Sequence, residues 1–132
     1  MTADSRVGRR RLGRGAVAMA GLAMMPALAR AQDFPARSVR VVVPYPAGGG
    51  TDIVARLICP RLAERWKQTV VVDNKAGASG IVGSEIVARA PADGYTLLIM
   101  TSAHVINPFT TKALPYDTEK DFTPITTLVW AG

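Results

Sequence analysis

The sequence is short of the residues from which most metal sites and many active sites are built. It holds one cysteine, Cys59, and one histidine, His104. A lone cysteine excludes an internal disulfide and any multi-cysteine metal site, and no group of residues has metal-ligand spacing. Cys59 falls in an apolar-periodic stretch, where a small buried side chain accounts for it. A basic stripe is missing too, although the formal net charge is +6. Arg6, Arg9, Arg10, Arg11, Arg14 and Arg30 crowd the first 31 residues, with Asp4 as the only acid there. From residue 32 onward, ten Lys and Arg stand against nine Asp and Glu. That balance offers nothing to track a phosphate backbone, so no nucleic-acid partner is expected.

The nucleotide and hydrolase motifs are also absent. Gly48-Gly49-Gly50 does not open a dinucleotide fingerprint, because Ile53 stands where the third glycine belongs. No G-K-[ST] follows a glycine loop, so there is no P-loop. Gly77, Gly80 and Gly83 have a different spacing, which a tight turn and close helix packing explain. Gly77-Ala78-Ser79-Gly80 begins like a nucleophile elbow, but Ile81 takes the place of the last glycine. His104 could serve Ser79 or Ser102 as a base, yet no acid is placed to orient it. An exported α/β hydrolase therefore stays only as an alternative. No cofactor is expected.

What is present begins with an address. Arg9-Arg10-Arg11 forms a positive region, Gly15 to Leu28 an apolar run, and Ala29-Arg30-Ala31 a small-x-small cleavage pattern. The reading is a signal peptide over residues 1–31, cut after Ala31, with a mature chain over residues 32–132 in the periplasm. The arginine pair leaves twin-arginine and ordinary secretion both open. At 132 residues the chain is one domain at most.

The mature chain is organised around Ser38 to Asp52. Val39 to Val43 read as a buried strand, followed by a glycine loop and then a helix from Thr51 to Trp66, with Thr51 or Asp52 as N-cap. Val54, Ile58, Leu62 and Trp66, widened by Ile53 and Leu57, are its expected inward stripe. Pro60 should kink it. A second strand is expected over Thr69–Asp73, a second glycine loop over Asn74–Gly80, and a helix over Ile81–Ala90 facing inward through Ile81, Val82, Ile86 and Val87. A third strand follows over Thr96–Met100, then a helical turn over Asn107–Lys112 and a fourth strand over Thr126–Trp130.

Strands of continuous apolar character alternating with helices indicate an α/β fold, with a parallel sheet covered by helices on both faces. In such sheets ligands gather beyond the carboxyl ends of the strands. The loops Pro44–Gly50, Asn74–Gly80 and Thr101–His104 lie there, and Lys75 is their one charged residue. Such loops offer backbone N–H groups, hydroxyls and two helix N-termini, which suit an anion. A plain strand-to-helix connection explains the first loop equally well, and Asp52 reads as either a ligand contact or a helix cap.

Four motifs in order, V-P-Y-P-A-G-G-G-T-D-I-V-A-R-L, V-V-V-D-N-K-A-G-A-S-G, P-A-D-G-Y-T-L-L and L-P-Y-D-T-E-K-D-F-T-P-I-T, resemble the Bug family over Phe34 to Leu128. These are extracytoplasmic solute-binding receptors of tripartite tricarboxylate transporters. The resemblance implies a two-domain, flytrap-like α/β receptor for small di- or tricarboxylates, aromatic acids or related compounds. It also implies membrane permease subunits as partners and no enzymatic activity. Carried over by motif, the ligand loops comprise Tyr45, Pro46, Ala47, Gly48, Gly49, Thr51 and Asp52, then Asn74, Gly77, Ala78, Ser79 and Gly80. Thr101 and Ser102 match the hydroxyl loop after the third strand. The chain departs from the family in having Lys67 and Gln68 where a glycine ends the first helix, and in Pro60. It is also much shorter than family members, so it reads as an N-terminal portion holding an incomplete first lobe, with a non-functional truncated remnant as a further alternative.

Overall fold

The computed structural model describes residues 34–130. The expected signal segment and its cleavage point lie outside the described residues. The elements are β1 (Val39–Val43), α1 (Gly50–Trp66), β2 (Val70–Asn74), α2 (Ile81–Ala88), β3 (Thr96–Leu98) and α3 (Ala103–Thr110).

The strands form one parallel sheet in the order β2-β1-β3. Val39, Val41, Val42 and Val43 are buried, as a strand flanked on both edges and covered on both faces should be. The register pairs Val43 with Asn74 and Val42 with both Asp73 and Leu98. Side chains alternate across a strand, so Val39, Val41, Val43, Val72 and Asn74 share one face. Arg40, Val42, Asp73 and Leu98 share the other. α1 lies on the first face, where Asn74 Nδ2 donates to Asp52 Oδ1 at 3.0 Å. Strand order and right-handed crossovers carry α2 to the opposite face, where it packs on β3 and β1.

Several expectations need correction. The N-cap of α1 is Gly49, and no side chain caps it. Asp52 instead sits in the first turn and reaches back to accept the Gly48 N–H at 2.8 Å. The inward line of α1 is Asp52, Ala55 and Cys59, all buried, while Val54, Ile58, Leu62 and Trp66 flank it half-buried. Ile53 and Leu57 point outward, 53% and 68% exposed. Small side chains at Ala55 and Cys59 let the helix approach the sheet closely, so the bulkier apolar residues fall to the sides. The helix also continues through Pro60, which is exposed. The carbonyl that loses its partner there belongs to Arg56, another exposed position, where water can replace the missing N–H.

Lys67, the residue standing where a glycine was expected, takes the left-handed conformation itself (φ 52°, ψ 33°). In α2, Gly83 and Ser84 are buried, and Val82 is exposed rather than inward. α2 ends at Ala88 and β3 at Leu98, each two residues sooner than expected, although the Ile99 N–H still donates to the Val42 carbonyl. Instead of a helical turn over Asn107–Lys112, an eight-residue helix begins at Ala103. Residues 126–130 form no strand. Their β-branched and apolar character suits a strand, but no described strand pairs with them, and pairing is what makes a strand.

Candidate functional site

Parallel β1, β2 and β3 bring three loops to one end of the sheet. Tyr45 joins them. Its hydroxyl is hydrogen-bonded to Thr101 Oγ1 at 2.6 Å, linking the loop after β1 to the loop after β3. Its carbonyl accepts Asn74 Nδ2 at 3.1 Å, linking the same loop to the end of β2. A Cβ added at Gly80 would lie 3.3 Å from the Tyr45 hydroxyl, so the second glycine loop closes against the same ring. The resemblance implies Tyr45 as a ligand residue; the structure shows it as the joint of the three loops.

The Asp52 carboxylate is fully engaged within the protein. It accepts from Gly48 N–H at 2.8 Å, Arg56 Nε at 2.8 Å and Asn74 Nδ2 at 3.0 Å, and is 2% exposed. The Arg56 hydrogen bond, then those from Gly48 and Asn74, hold its pKa down at about 2. Arg56 also donates to Asn74 Oδ1 at 3.3 Å. Asp52, Asn74 and Arg56 therefore form one network that fixes the glycine loop to α1 and β2. Sequence reasoning singled out the first two and passed over Arg56, whose signal was its position four residues after an acid on a helix.

Neither cation near the loops is left without an acid. Arg56 is paired with Asp52, and Lys75 Nζ lies 3.3 Å from Asp73 Oδ1. Asp73 also accepts from Arg40, whose guanidinium is the main cause of its lowered pKa. What the site offers is backbone. Among the described residues, the N–H groups of Gly50, Thr51 and Asp52 in the first turn of α1 have no hydrogen-bond acceptor, and neither have those of Ala78 and Ser79. Pro46, Ala47, Gly48, Gly50, Ala78, Ser79, Thr101 and Ser102 are exposed, and Gly49, Thr51 and Gly77 half-exposed. Unpaired N–H groups at a helix start carry partial positive charge and suit an anion.

The second glycine loop has unusual backbone. Ala78 (φ 45°), Ser79 (φ 54°, ψ 35°) and Gly80 (φ 88°, ψ −1°) are successively left-handed. The Gly80 N–H donates to the Gly77 carbonyl at 2.9 Å, and the Ile81 N–H to the Ala78 carbonyl. Two overlapping turns of the mirror-image kind result. Each non-glycine residue held this way costs about 1–2 kcal/mol. Gly83 lets α2 meet the end of β1: a Cβ there would lie 2.6 Å from Pro44 Cβ and 3.0 Å from the Lys75 carbonyl oxygen. The glycine spacing thus serves a turn and a close helix contact, as expected.

His104 is buried at 4% exposure, with Nδ1 hydrogen-bonded to Ser84 Oγ at 3.2 Å. Its ring stacks on Tyr116 and meets the edge of Phe122, and burial pushes its pKa down. Burial likewise raises the Cys59 thiol. Both are interior residues, and Ser84 is itself too buried to reach a substrate. Asn107, which no sequence pattern marked, donates from α3 to the Ser79 carbonyl at 3.2 Å.

Residues 54–132 match the family described as tripartite tricarboxylate transporter family receptor. A protein from the tcbD–tcbE intergenic region of Pseudomonas sp. strain P51 is 43% identical over 122 residues, which is 90% of this chain and 35% of that one. Protein BugT of Bordetella pertussis is 38% identical over 111 residues, 83% of this chain and 33% of that one. The chain thus spans about a third of the length of the curated relatives it matches. Among solved structures, the periplasmic binding protein BugD superposes with a TM-score of 0.67 at 42% identity, over 70% of this chain and 31% of that one. MatC of Rhodopseudomonas palustris, solved with bound malate, gives 0.65 at 41%, over 69% and 31%. A second R. palustris protein, solved with adipate, gives 0.63 at 45%, over 65% and 29%. Motif order, parallel sheet and family match agree, and the chain belongs to the tripartite tricarboxylate transporter receptor family.

Proposed function

We propose that residues 32–132 supply the first α/β lobe of a periplasmic solute-binding receptor, and that the loops after β1, β2 and β3 hold a carboxylate group of a small ligand. The observation that carries this reading is the cluster of unpaired N–H groups on Gly50, Thr51, Ala78 and Ser79, beside cations that are already paired. A carboxylate fits such a site through charge-assisted hydrogen bonds and the start of α1, without an arginine. Thr101, Ser102 and Ser79 add hydroxyls around it. Asp52 and Asn74 act behind these contacts, shaping the loops.

Two family members of known structure support a dicarboxylate, having been solved with malate and with adipate. A receptor of this family delivers its ligand to membrane permease subunits, which are the proposed partners, and export would depend on the arginine-rich N-terminal segment. The matched family is one of receptors and not of enzymes. The hydrolase alternative has nothing comparable behind it, since His104 is turned to Ser84 in the interior.

The test is a thermal-shift screen of the exported protein against malate, adipate, citrate and aromatic acids, with the matching neutral amides as controls. The reading expects a rise in Tm with at least one acid and none with its amide. No shift with any acid, or equal shifts with acid and amide, would overturn it.

A further inference from the structure

We propose that Asn107 is a positioning residue of this site: from α3 it holds the left-handed turn Gly77–Gly80 in the shape that presents the Ala78 and Ser79 N–H groups. The inference deepens the carboxylate-receptor reading and rests on it for its meaning, though not for its test.

Three observations meet at this residue. The turn keeps two non-glycine residues, Ala78 and Ser79, in a conformation that side chains disfavour. Such a turn persists only where its surroundings over-determine it. Its own backbone bonds, Gly80 to Gly77 and Ile81 to Ala78, close it locally and join it to the start of α2, but they leave its Ser79 side unanchored. Among the described residues, one side-chain hydrogen bond reaches a carbonyl of the turn, and Asn107 Nδ2 of α3 donates it to Ser79. Asn107 is 4% exposed, so the donor side of the bond is buried, while Ser79 lies at the surface. Breaking it would leave a buried amide unsatisfied.

α3 is a poor helix on its own terms, with β-branched Val105 and Ile106 and with Pro108 inside it. Its two buried positions, His104 and Asn107, are both polar and one turn apart. One is bonded to Ser84 of α2 and the other to Ser79 of the turn. An apolar residue at 107 would fill the space as well, but it would have no donor for the Ser79 carbonyl. The choice of an amide sets where the turn sits.

The test compares Asn107→Ala, Ser79→Gly and the double variant. Amide hydrogen exchange is read at Gly80 and Ile81, whose N–H groups close the turn, and affinity is read with malate and adipate. Asn107→Ala should speed exchange at both amides about fivefold and weaken dicarboxylate binding by about the same factor, the worth of one hydrogen bond. Ser79→Gly alone should change exchange at both amides by less than about twofold, because glycine adopts the left-handed region freely; its affinity, which also loses the Ser79 hydroxyl, serves only as the baseline for the double variant. In the Ser79→Gly background, Asn107→Ala should then cost less than about twofold. Unchanged exchange in Asn107→Ala, or the same loss with and without Ser79→Gly, would overturn the proposal and leave Asn107 a packing residue. Should Asn107→Ala not melt cooperatively, Asn107→Ser carries the same comparison. If the wild-type protein binds no acid, the receptor reading fails, while the exchange data still decide the role of Asn107.

Discussion

Asn74 Nδ2 lies 3.0 Å from Asp52 Oδ1 and 3.1 Å from the Tyr45 carbonyl oxygen, so one amide ties the end of β2 to the start of α1 and to the loop after β1. The three residues come from three separate elements. The bonds hold the first glycine loop in place, and they explain why a buried carboxylate is tolerated at the start of a helix. Negative charge there is favoured by the helix dipole and by the donors that surround it.

The first prediction concerns pH. The Asp52 carboxyl is lowered to about 2, chiefly by Arg56. A carboxylate depressed in the folded state stabilises the fold above its unfolded pKa, and loses that effect as pH falls through the folded value. Stability from Asp52 should therefore be intact at neutral pH and disappear between about pH 4 and pH 2. Urea titrations of the wild type and Asp52→Asn should converge across that window. Parallel curves down to the acid limit would rule the network out as a source of stability.

Tyr45→Phe should remove the bond to Thr101 while keeping the ring against Gly80. The expected loss is about 0.5–1.5 kcal/mol of stability. Carboxylate affinity should fall about two- to tenfold, because the loop after β3 is released. Chemical denaturation and a titration with malate or adipate check both numbers, and full affinity in Tyr45→Phe would mean the three loops do not act together.

Among the described glycines, a methyl at Gly83 meets the closest neighbours, and Gly83→Ala is expected to be damaging. The new carbon would press on the Cβ and Cα of Pro44 and on the Lys75 carbonyl, two of them backbone atoms that cannot swing aside. Overpacking of this kind costs about 1–3 kcal/mol. A melt unchanged from the wild type would show that α2 can lift off the end of β1.

His104 gives a second pH signature. Burial pushes its pKa below the ordinary 6.5, so the folded protein takes up its proton less readily than the unfolded chain. Its contribution is fully present above the unfolded value and declines as pH falls below it. The faces it meets are Ser84, Tyr116 and Phe122, which bring no opposite charge. His104→Gln should flatten the stability curve between about pH 7 and pH 5. An equally steep decline in the variant would assign the acid sensitivity elsewhere.

Much of this architecture was legible in the chain. Val39 to Val43 announced β1 to the residue, because four β-branched residues in five, ending at Pro44, have few other uses. Strand and helix alternation gave the parallel sheet, and turn chemistry gave the three loops. The face of α1 was misread because periodicity weighs hydrophobicity, whereas contact with the sheet selected the small residues Ala55 and Cys59 and the tethered Asp52. α3 was underestimated because its propensities are weak and its anchors, His104 and Asn107, are polar. Asn107 carried no local signal at all: its partner Ser79 lies 28 residues away in sequence. The apolar run at 126–130 shows the opposite failure, a strand propensity with no described strand to pair it.

If backbone N–H groups on two loops receive a carboxylate, those amides must respond to ligand. The most direct measurement is a titration of the isotope-labelled protein with malate and with adipate, following each backbone amide by NMR. The largest shifts are expected at Gly50, Thr51, Ala78 and Ser79, saturating together with a single dissociation constant, with no such pattern for the neutral amides. Saturable binding that leaves those four amides unmoved, or shifts centred away from the loops after β1 and β2, would contradict it.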